Sequence, residues 1–338
     1  MTDNKNCSEP ISSVMHSYLK ELEYRMQHKG EALGLLTGIH ALDEKLDGMR
    51  GGEVILLGAR PAMGKTSFSI NLAYKVAKSF LNEKETEKNN NKCVLWFSIE
   101  ASQTHIVQRL VASKIPDIHS WLLRRYKYGV NSYKEFEKIA DIGQEIEQLP
   151  IYINDKLSLI EDIEEEIYNF NQSRHIGFIV IDYLQLIKTQ ENQYREIKDY
   201  DLIAQKLKNI AQDLNVPIFI LSQLTRTLES RTNKCPTCND IRQLKKLGSI
   251  DKVLFLYREY YYLINDDLQI KPKETEEHLQ IRIEDWCKRC KEQENLAEII
   301  VAKNISGYTG TVKCFCDLDK CEFLDLEKSE MDLPDVIG

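Results

Sequence analysis

GARPAMGKTS occupies residues 58–67, directly behind the apolar run Val54-Ile55-Leu56-Leu57. It fits G-x-x-x-x-G-K-[ST], with Gly58, Gly64, Lys65 and Thr66 at the fixed positions and Ser67 next to them. A strand before this pattern and a helix after it are the context the motif requires. Glycines let backbone N–H groups approach phosphate oxygens, and a helix N-terminus adds a favourable dipole. Lys65 is then placed to reach the β- and γ-phosphates of a nucleoside triphosphate, and Thr66 to hold Mg²⁺. The plainer alternative, a glycine turn with a chance lysine, is disfavoured by the flanking strand and helix.

Outward from this stretch, short apolar runs alternate with amphipathic ones. The runs are 54–58, 94–100, 151–155, 178–187, 217–224, 252–257, 297–303 and 311–317. Continuous apolar strands such as Phe178-Ile179-Val180-Ile181 indicate a largely parallel sheet covered on both faces. Helical spacing is expected over 65–81, 102–114, 132–149, 158–172 and 196–215, which makes the class α/β. A further amphipathic helix over 11–29 carries Ile11, Val14, Met15, Tyr18, Leu19, Leu22 and Met26 ahead of the first strand. No internal repeat is visible, so one domain is expected over 36–326. Residues 1–35 would be a disordered start and that helix, and 327–338 a loose acidic tail. Charged stretches at 82–92 and 264–295 read as insertions.

Three strands end in polar residues that parallel alignment would bring to one place. Asp182 closes the run 178–181; a carboxylate there is costly unless a cation or water uses it. It suits the second Mg²⁺ position, and a helix-capping aspartate is the alternative. Glu100 closes 94–99 on a strand expected beside the phosphate loop, where it could orient an attacking water; alone, it would read as a surface glutamate. Gln223 closes 217–222, where an amide could sense a γ-phosphate.

Bulk numbers bound the partners. The chain has 338 residues, 45 Lys plus Arg against 53 Asp plus Glu, and a net charge of −8. Contact with nucleic-acid phosphates must therefore come from a local basic patch. Residues 225–246 supply one: Arg226, Arg231, Lys234, Arg242, Lys245 and Lys246 against Glu229 and Asp240. A solvated charged loop is the equal alternative from charge alone. No apolar stretch approaches the ~20 residues of a membrane helix. The start MTDNKNCSEP lacks signal-peptide order, so a cytoplasmic location with reduced thiols is expected. Among the nine cysteines, the pairs Cys235/Cys238 and Cys287/Cys290 have the C-x-x-C spacing of a zinc site, or are four unpaired loop thiols. Cys314, Cys316 and Cys321 read as strand and hairpin residues.

GARPAMGKTSFSINLA, VLWFSIEAS, FIVIDYLQLI, LKNIAQDLNVPIFILSQLTRTLESR, FLYREYYY and the segment 297–312 together resemble the motor domain of DnaB-type replicative helicases, within the RecA-like ATPases. The resemblance runs from about Leu36 to Asp317. It implies a RecA-like P-loop fold preceded by a linker helix at 11–29, and self-association into a hexameric ring around single-stranded DNA, with ATP between subunits. It implies Lys65 and Thr66 on phosphate and Mg²⁺, Glu100 on water, Asp182 as the strand-end carboxylate and Gln223 as sensor. Arg242 in NDIRQ matches the DNA-loop arginine. The family's N-terminal domain is expected to be missing, and with it the primase contact. The run after Arg242 departs from the family's glycine and acidic residues. Where the family has lysine, any residue, arginine, this chain reads Lys303-Asn304-Ile305; Lys303 matches the first cation and the arginine finger is absent. Arg282 and Arg289 lie upstream, unplaced. An ATP-hydrolysing helicase motor is the leading expectation. A weakly hydrolysing ATP- and DNA-binding protein and a recombination or repair ATPase are the others.

Overall fold

The computed structural model describes residues 10–27, 33–86, 91–115, 118, 133–190, 200–241, 244, 247–265 and 275–326. Arg242, Lys245, Lys246, the start, the tail and residues 87–90 lie outside the described residues.

The strands are β1 (Val54–Ala59), β2 (Lys92–Ser98), β3 (Ile151–Asn154), β4 (His175–Asp182), β5 (Ile218–Gln223), β6 (Lys252–Tyr257), β7 (Leu296–Asn304), β8 (Gly310–Asp317) and β9 (Glu322–Leu324). They form one sheet in the order β3-β2-β4-β5-β1-β6-β7-β8-β9. Pairing is parallel from β3 to β6 and antiparallel from β6 to β9. The helices are α1 (Ile11–Gln27), α2 (His40–Leu46), α3 (Lys65–Thr86), α4 (Gln103–Ala112), α5 (Tyr133–Glu147), α6 (Ile160–Ser173), α7 (Tyr200–Leu214), α8 (Glu259–Ile264) and α9 (Glu276–Gln293).

Alternation along each central strand feeds two cores. Ile55, Leu57, Trp96, Phe178, Phe219 and Leu254 pack against Phe68, Leu72 and Val76 of α3 and Ile106 and Leu110 of α4. Val54, Leu56, Leu95, Ile179, Ile220 and Val253 pack against Ile163 and Ile167 of α6 and Ile203, Leu207 and Ile210 of α7. Helices on both faces are why these strands read as unbroken apolar runs. The antiparallel end behaves differently. β8 alternates exposed and buried positions, and its inward Cys314 and Cys316 are buried with thiols pushed up to about 12 by burial.

Three elements depart from the sequence pattern. α2 and β9 are too short to carry a periodic signal. The 264–295 stretch, expected as an insertion with no assigned element, holds the 18-residue helix α9, started by Thr275 as N-cap. α9 has no buried residue, so no apolar stripe marked it. It docks on α8 through Trp286 Nε1, which donates to the Leu263 carbonyl at 2.8 Å, and through an Arg289–Glu259 ion pair. α1 matches the expected helix, and Ile11, Val14, Met15, Tyr18, Leu19 and Met26 are all exposed.

At the amino ends of β1 and β6 lies a buried polar network. Lys252 is fully buried and donates to Glu53 Oε2 at 2.6 Å and to the Gly48 carbonyl at 2.7 Å. Glu53 also accepts from Arg50 N–H and Ser306 Oγ. Asp251 accepts from Lys208 and from Val54 N–H. Removing one member of a buried pair strands the other charge. Glu53→Ala is expected to lower the unfolding free energy by about 3–5 kcal/mol in urea titrations, and Glu53→Leu with Lys252→Met to recover most of that loss.

Candidate nucleotide site

The phosphate loop begins where β1 ends. Gly58 sits inside the strand opposite Ser222 and Phe255. A Cβ there would lie 2.9 Å from both Leu224 Cδ2 and Phe255 Cδ1, so a side chain at this position would meet packed neighbours. Gly64 has φ +97°, a left-handed backbone that glycine adopts without strain. Ala62 is also left-handed, at φ 64°. The reversals deliver the chain into α3, whose first residues are Lys65 and Thr66. Ser67 is buried, and its hydroxyl is 3.4 Å from the Leu318 carbonyl in the β8–β9 turn, so its side chain is turned to the protein.

Thr66 Oγ1 donates to Asp182 Oδ2 at 3.0 Å. Asp182 is 1% exposed. Burial pushes its carboxyl up to about 6, opposed by the Thr66 hydrogen bond, with Glu100 adding to the rise and Lys65 and Arg109 working against it. Its other oxygen, Oδ1, is buried without a hydrogen-bond partner among the described residues. An orphaned carboxylate oxygen beside a threonine hydroxyl is a hard-oxygen pair that suits Mg²⁺, which is usually held by one or two carboxylates plus phosphates and water. Lys65 Nζ lies 3.4 Å from the Ala59 carbonyl. Burial lowers its pKa, while Asp182 and Glu100 raise it and Arg60 lowers it further. The cation and two carboxylates thus feel one another at one end of the sheet.

Glu100 and Gln223 arrive by different routes. β2 ends at Ser98, so Glu100 lies in the loop beyond it and is exposed. β2 is also separated from β1 by β4 and β5, so Glu100 stands next to the Asp182 strand and not next to the phosphate-loop strand as expected. Gln223 ends β5, in register with Ala59. Sequence reading missed Gln185. Its side-chain amide donates to Ser222 Oγ at 2.9 Å and to the Gln223 carbonyl at 3.1 Å, and accepts from Gln223 N–H at 3.1 Å. Gln185 thereby prolongs the β4–β5 pairing beyond Ile181–Ile220 with a side chain. A polar residue inside the otherwise apolar YLQLI was the available signal.

The basic stretch is partly spent on itself. Arg231 pairs with the buried Asp240 at 3.0 Å and donates to the Cys235 carbonyl, which makes it a pin for its own loop. Lys234 donates to the carbonyls of Glu229 and Arg231. Arg226 is exposed. Lys303 donates to the Leu247 and Ile250 carbonyls and holds that turn. Ile305 is 63% exposed. Arg289 is paired with Glu259. The cysteine pairs stand on separate supports, Cys235 and Cys238 in the loop pinned by Asp240 and Cys287 and Cys290 on α9. Among the described residues no three His, Cys, Asp or Glu side chains gather as a metal site, so the zinc expectation is not met. Burial also raises the Cys235 and Cys238 thiols.

The Asp182 environment sets a pH dependence. Its folded pKa, about 6, lies above the ordinary aspartate value of 3.8, so the folded protein holds a proton that the unfolded chain releases. Stability then falls as pH rises through that window, and the full penalty stands above about pH 6. Asp182→Asn should raise stability by about 2–3 kcal/mol at pH 7.5, with the gap to wild type closing below about pH 4. Thermal unfolding across pH measures this. The same variant should lose most of the extra stabilisation that Mg²⁺ adds to a bound ATP analogue.

A family model described as the DnaB-like helicase C terminal domain matches residues 34–325. Replicative DNA helicase DnaB of Rickettsia bellii is 31% identical over 330 residues, covering 96% of this chain and 64% of the relative. The DnaB of Geobacillus stearothermophilus is 31% identical over 327 residues, covering 94% of this chain and 62% of the relative. The chain thus spans under two thirds of these curated relatives. Among solved structures, an isolated ATPase domain superposes with a TM-score of 0.75 at 25% identity, over 95% of this chain and all of that one. A DnaB-like replicative helicase, in a structure that describes its interactions with primase, superposes at 0.72 over 95% of this chain and 68% of that one, at 24% identity. The nine-stranded sheet is accordingly of the kind found in these RecA-like ATPase domains. With the match running through the phosphate loop, Asp182, Gln223 and the antiparallel end of the sheet, the chain belongs to the DnaB-like helicase C-terminal domain family.

Proposed function

We propose that the chain is the ATP-driven motor of a DNA helicase, acting on single-stranded DNA in replication. The observation that carries this reading is the buried Thr66–Asp182 hydrogen bond beside Lys65, at the end of the sheet that Glu100 and Gln223 also reach. Lys65 and the 60–64 loop hold the phosphates of ATP, and Thr66 and Asp182 are the residues that would hold Mg²⁺. When bound, Mg²⁺ supplies positive charge to the transferring phosphoryl group. Glu100, exposed at the mouth, takes a proton from the water that attacks the γ-phosphorus, and ADP leaves as the bond to the β–γ bridging oxygen breaks. Gln223 directs its amide at the γ-phosphate, from a backbone that Gln185 holds at both its N–H and its carbonyl.

Single-stranded DNA is held by Arg242, Lys245 and Lys246 through its phosphates, without base reading. Arg231 serves that loop by pinning its base. The exposed apolar stripe of α1 supports self-association, each α1 covering itself on a neighbouring copy in a hexameric ring. A cytoplasmic site of action follows from this role.

Lys65→Ala is expected to cut ATP hydrolysis by about 10²-fold or more, with and without single-stranded DNA, while the thermal unfolding profile stays that of a folded protein. Turnover near wild type in this variant would end the motor reading.

A second reading, slow hydrolysis, is favoured by two side chains. Lys303 is occupied by two carbonyls of its own chain, and Ile305 offers no charge. Arginine fingers are worth about 10³–10⁵ in rate where GTPases have been measured. Ile305→Arg adds a planar fork matched to phosphate oxygens on an exposed turn, so steady-state turnover should rise about tenfold or more, with ATP affinity little changed. Acting from a neighbouring subunit, the gain should disappear on dilution to monomers. An assembled variant no faster than wild type would show that this turn edge does not meet a nucleotide.

A further inference from the structure

Arg60 follows Ala59 into the phosphate loop and is 9% exposed. Its guanidinium serves the next strand. Nη1 donates to the Leu224 carbonyl at 2.8 Å and Nε to Glu229 Oε1 at 2.7 Å. Leu224 N–H in turn donates to the Ala59 carbonyl at 3.1 Å. That same carbonyl lies 3.4 Å from Lys65 Nζ. The ammonium that a phosphate attracts and the Leu224 N–H therefore share one acceptor, the carbonyl of the Ala59–Arg60 peptide. A phosphate that draws Lys65 away leaves the Ala59 carbonyl to Leu224 alone and alters the hold on the peptide bearing Arg60.

Glu229 opens onto a unit tied together internally. The Glu229 carbonyl accepts from Lys234 Nζ at 2.8 Å, Arg231 pairs with Asp240, and the Asp240 carbonyl accepts from Thr225 N–H at 3.4 Å. Asp240 also takes both the N–H and the hydroxyl of Thr237. Residues 225–241 are thus cross-linked end to end, and Ile241 leads directly into Arg242. Tyr262 of α8 walls the other side, its hydroxyl 3.5 Å from Glu229 Oε1 and its ring centroid 5.6 Å from the Lys234 ammonium. α8 is itself braced by α9 through Trp286 and Arg289. A side-chain ion pair joins a phosphate-loop residue to a segment tied together chiefly by its own side chains.

We propose that the Arg60–Glu229 ion pair is the link through which nucleotide at Lys65 sets the conformation of residues 225–241, and through them the grip of the following loop on single-stranded DNA. Glu229 is a positioning residue in this scheme and touches neither ligand. The inference rests on the nucleotide-driven reading above. Its charge and reach are both required: glutamine keeps the shape and loses the ion pair, whereas aspartate keeps the charge one methylene short.

The test is amide hydrogen exchange of residues 225–241 in the full chain, with and without Mg²⁺ and a non-hydrolysable ATP analogue. Binding of a fluorescent ADP is measured alongside. Wild type should show exchange in this segment slowed about fivefold or more by the nucleotide. In Glu229→Gln the change should fall below about twofold while fluorescent ADP binds within about threefold of wild type, and Glu229→Asp should recover part of the response. A labelled oligothymidylate should lose its nucleotide-dependent affinity in the same variant. Nucleotide binding with no change over 225–241 in wild type, or an unaltered change in Glu229→Gln, overturns the link and leaves the motor reading standing. Failure of wild type to bind fluorescent ADP overturns both, and is recognised by that measurement alone.

Discussion

One hydrogen bond, from Thr66 Oγ1 to a carboxylate oxygen of Asp182, joins the start of α3 to the end of β4 across the intervening β5. It requires β1, β5 and β4 to be held in the parallel registers that pair Ala59 with Gln223 and Ile181 with Ile220, which set Asp182 two residues back from the end of β5. A one-residue slip would move every side chain of a strand from one core to the other, so these registers are held by the fit of particular side chains in each core. The site is therefore a consequence of sheet alignment. Its position at the carboxyl ends of the strands is the crevice where open α/β sheets place ligands.

What could be read from the sequence follows the same physics. VILLGARPAMGKT and FIVID were legible because their residues answer strong constraints: burial on both faces, a left-handed Gly64 and a carboxylate ending an apolar run. Gln185 was not, since a single polar residue in an apolar stretch does not say which backbone it will meet. α9 was not, since a helix with no buried residue leaves no periodic stripe. Gly58 fits the motif, and the packing of Leu224 and Phe255 against it is a second constraint that the motif does not show.

Charge was the hardest property to read. The stretch 225–246 carries six cations, and its described members divide: Arg231 and Lys234 are used to close their own loop, and Arg226 is exposed. Lys303 is similarly used on the turn at 247–250. A cation count records charge but not its partners, and an arginine held by a buried aspartate and a carbonyl has less to offer a phosphate than a free one. Arg60 makes the same point inside the motif itself. Its place in the phosphate loop suggests a phosphate ligand, yet its guanidinium is bonded to the Leu224 carbonyl beyond β5 and to Glu229.

The two ends of the sheet place similar groups in opposite circumstances. At the amino ends, Glu53 and Asp251 are each met by a lysine, a backbone N–H or both, and Lys252 is fully buried against its carboxylate and a carbonyl. At the carboxyl ends, Asp182 is equally buried, but one oxygen is left without a partner among the described residues and burial pushes its carboxyl up to about 6. Burial alone does not separate the clusters; satisfaction does. A buried polar group that finds all its bonds within the chain is complete as structure. One that keeps an oxygen unpaired carries a free-energy cost that the chain does not offset internally. The cost is tolerable where a bound cation meets that oxygen, and among these buried carboxylates it falls on the one at the strand end that faces the phosphate loop.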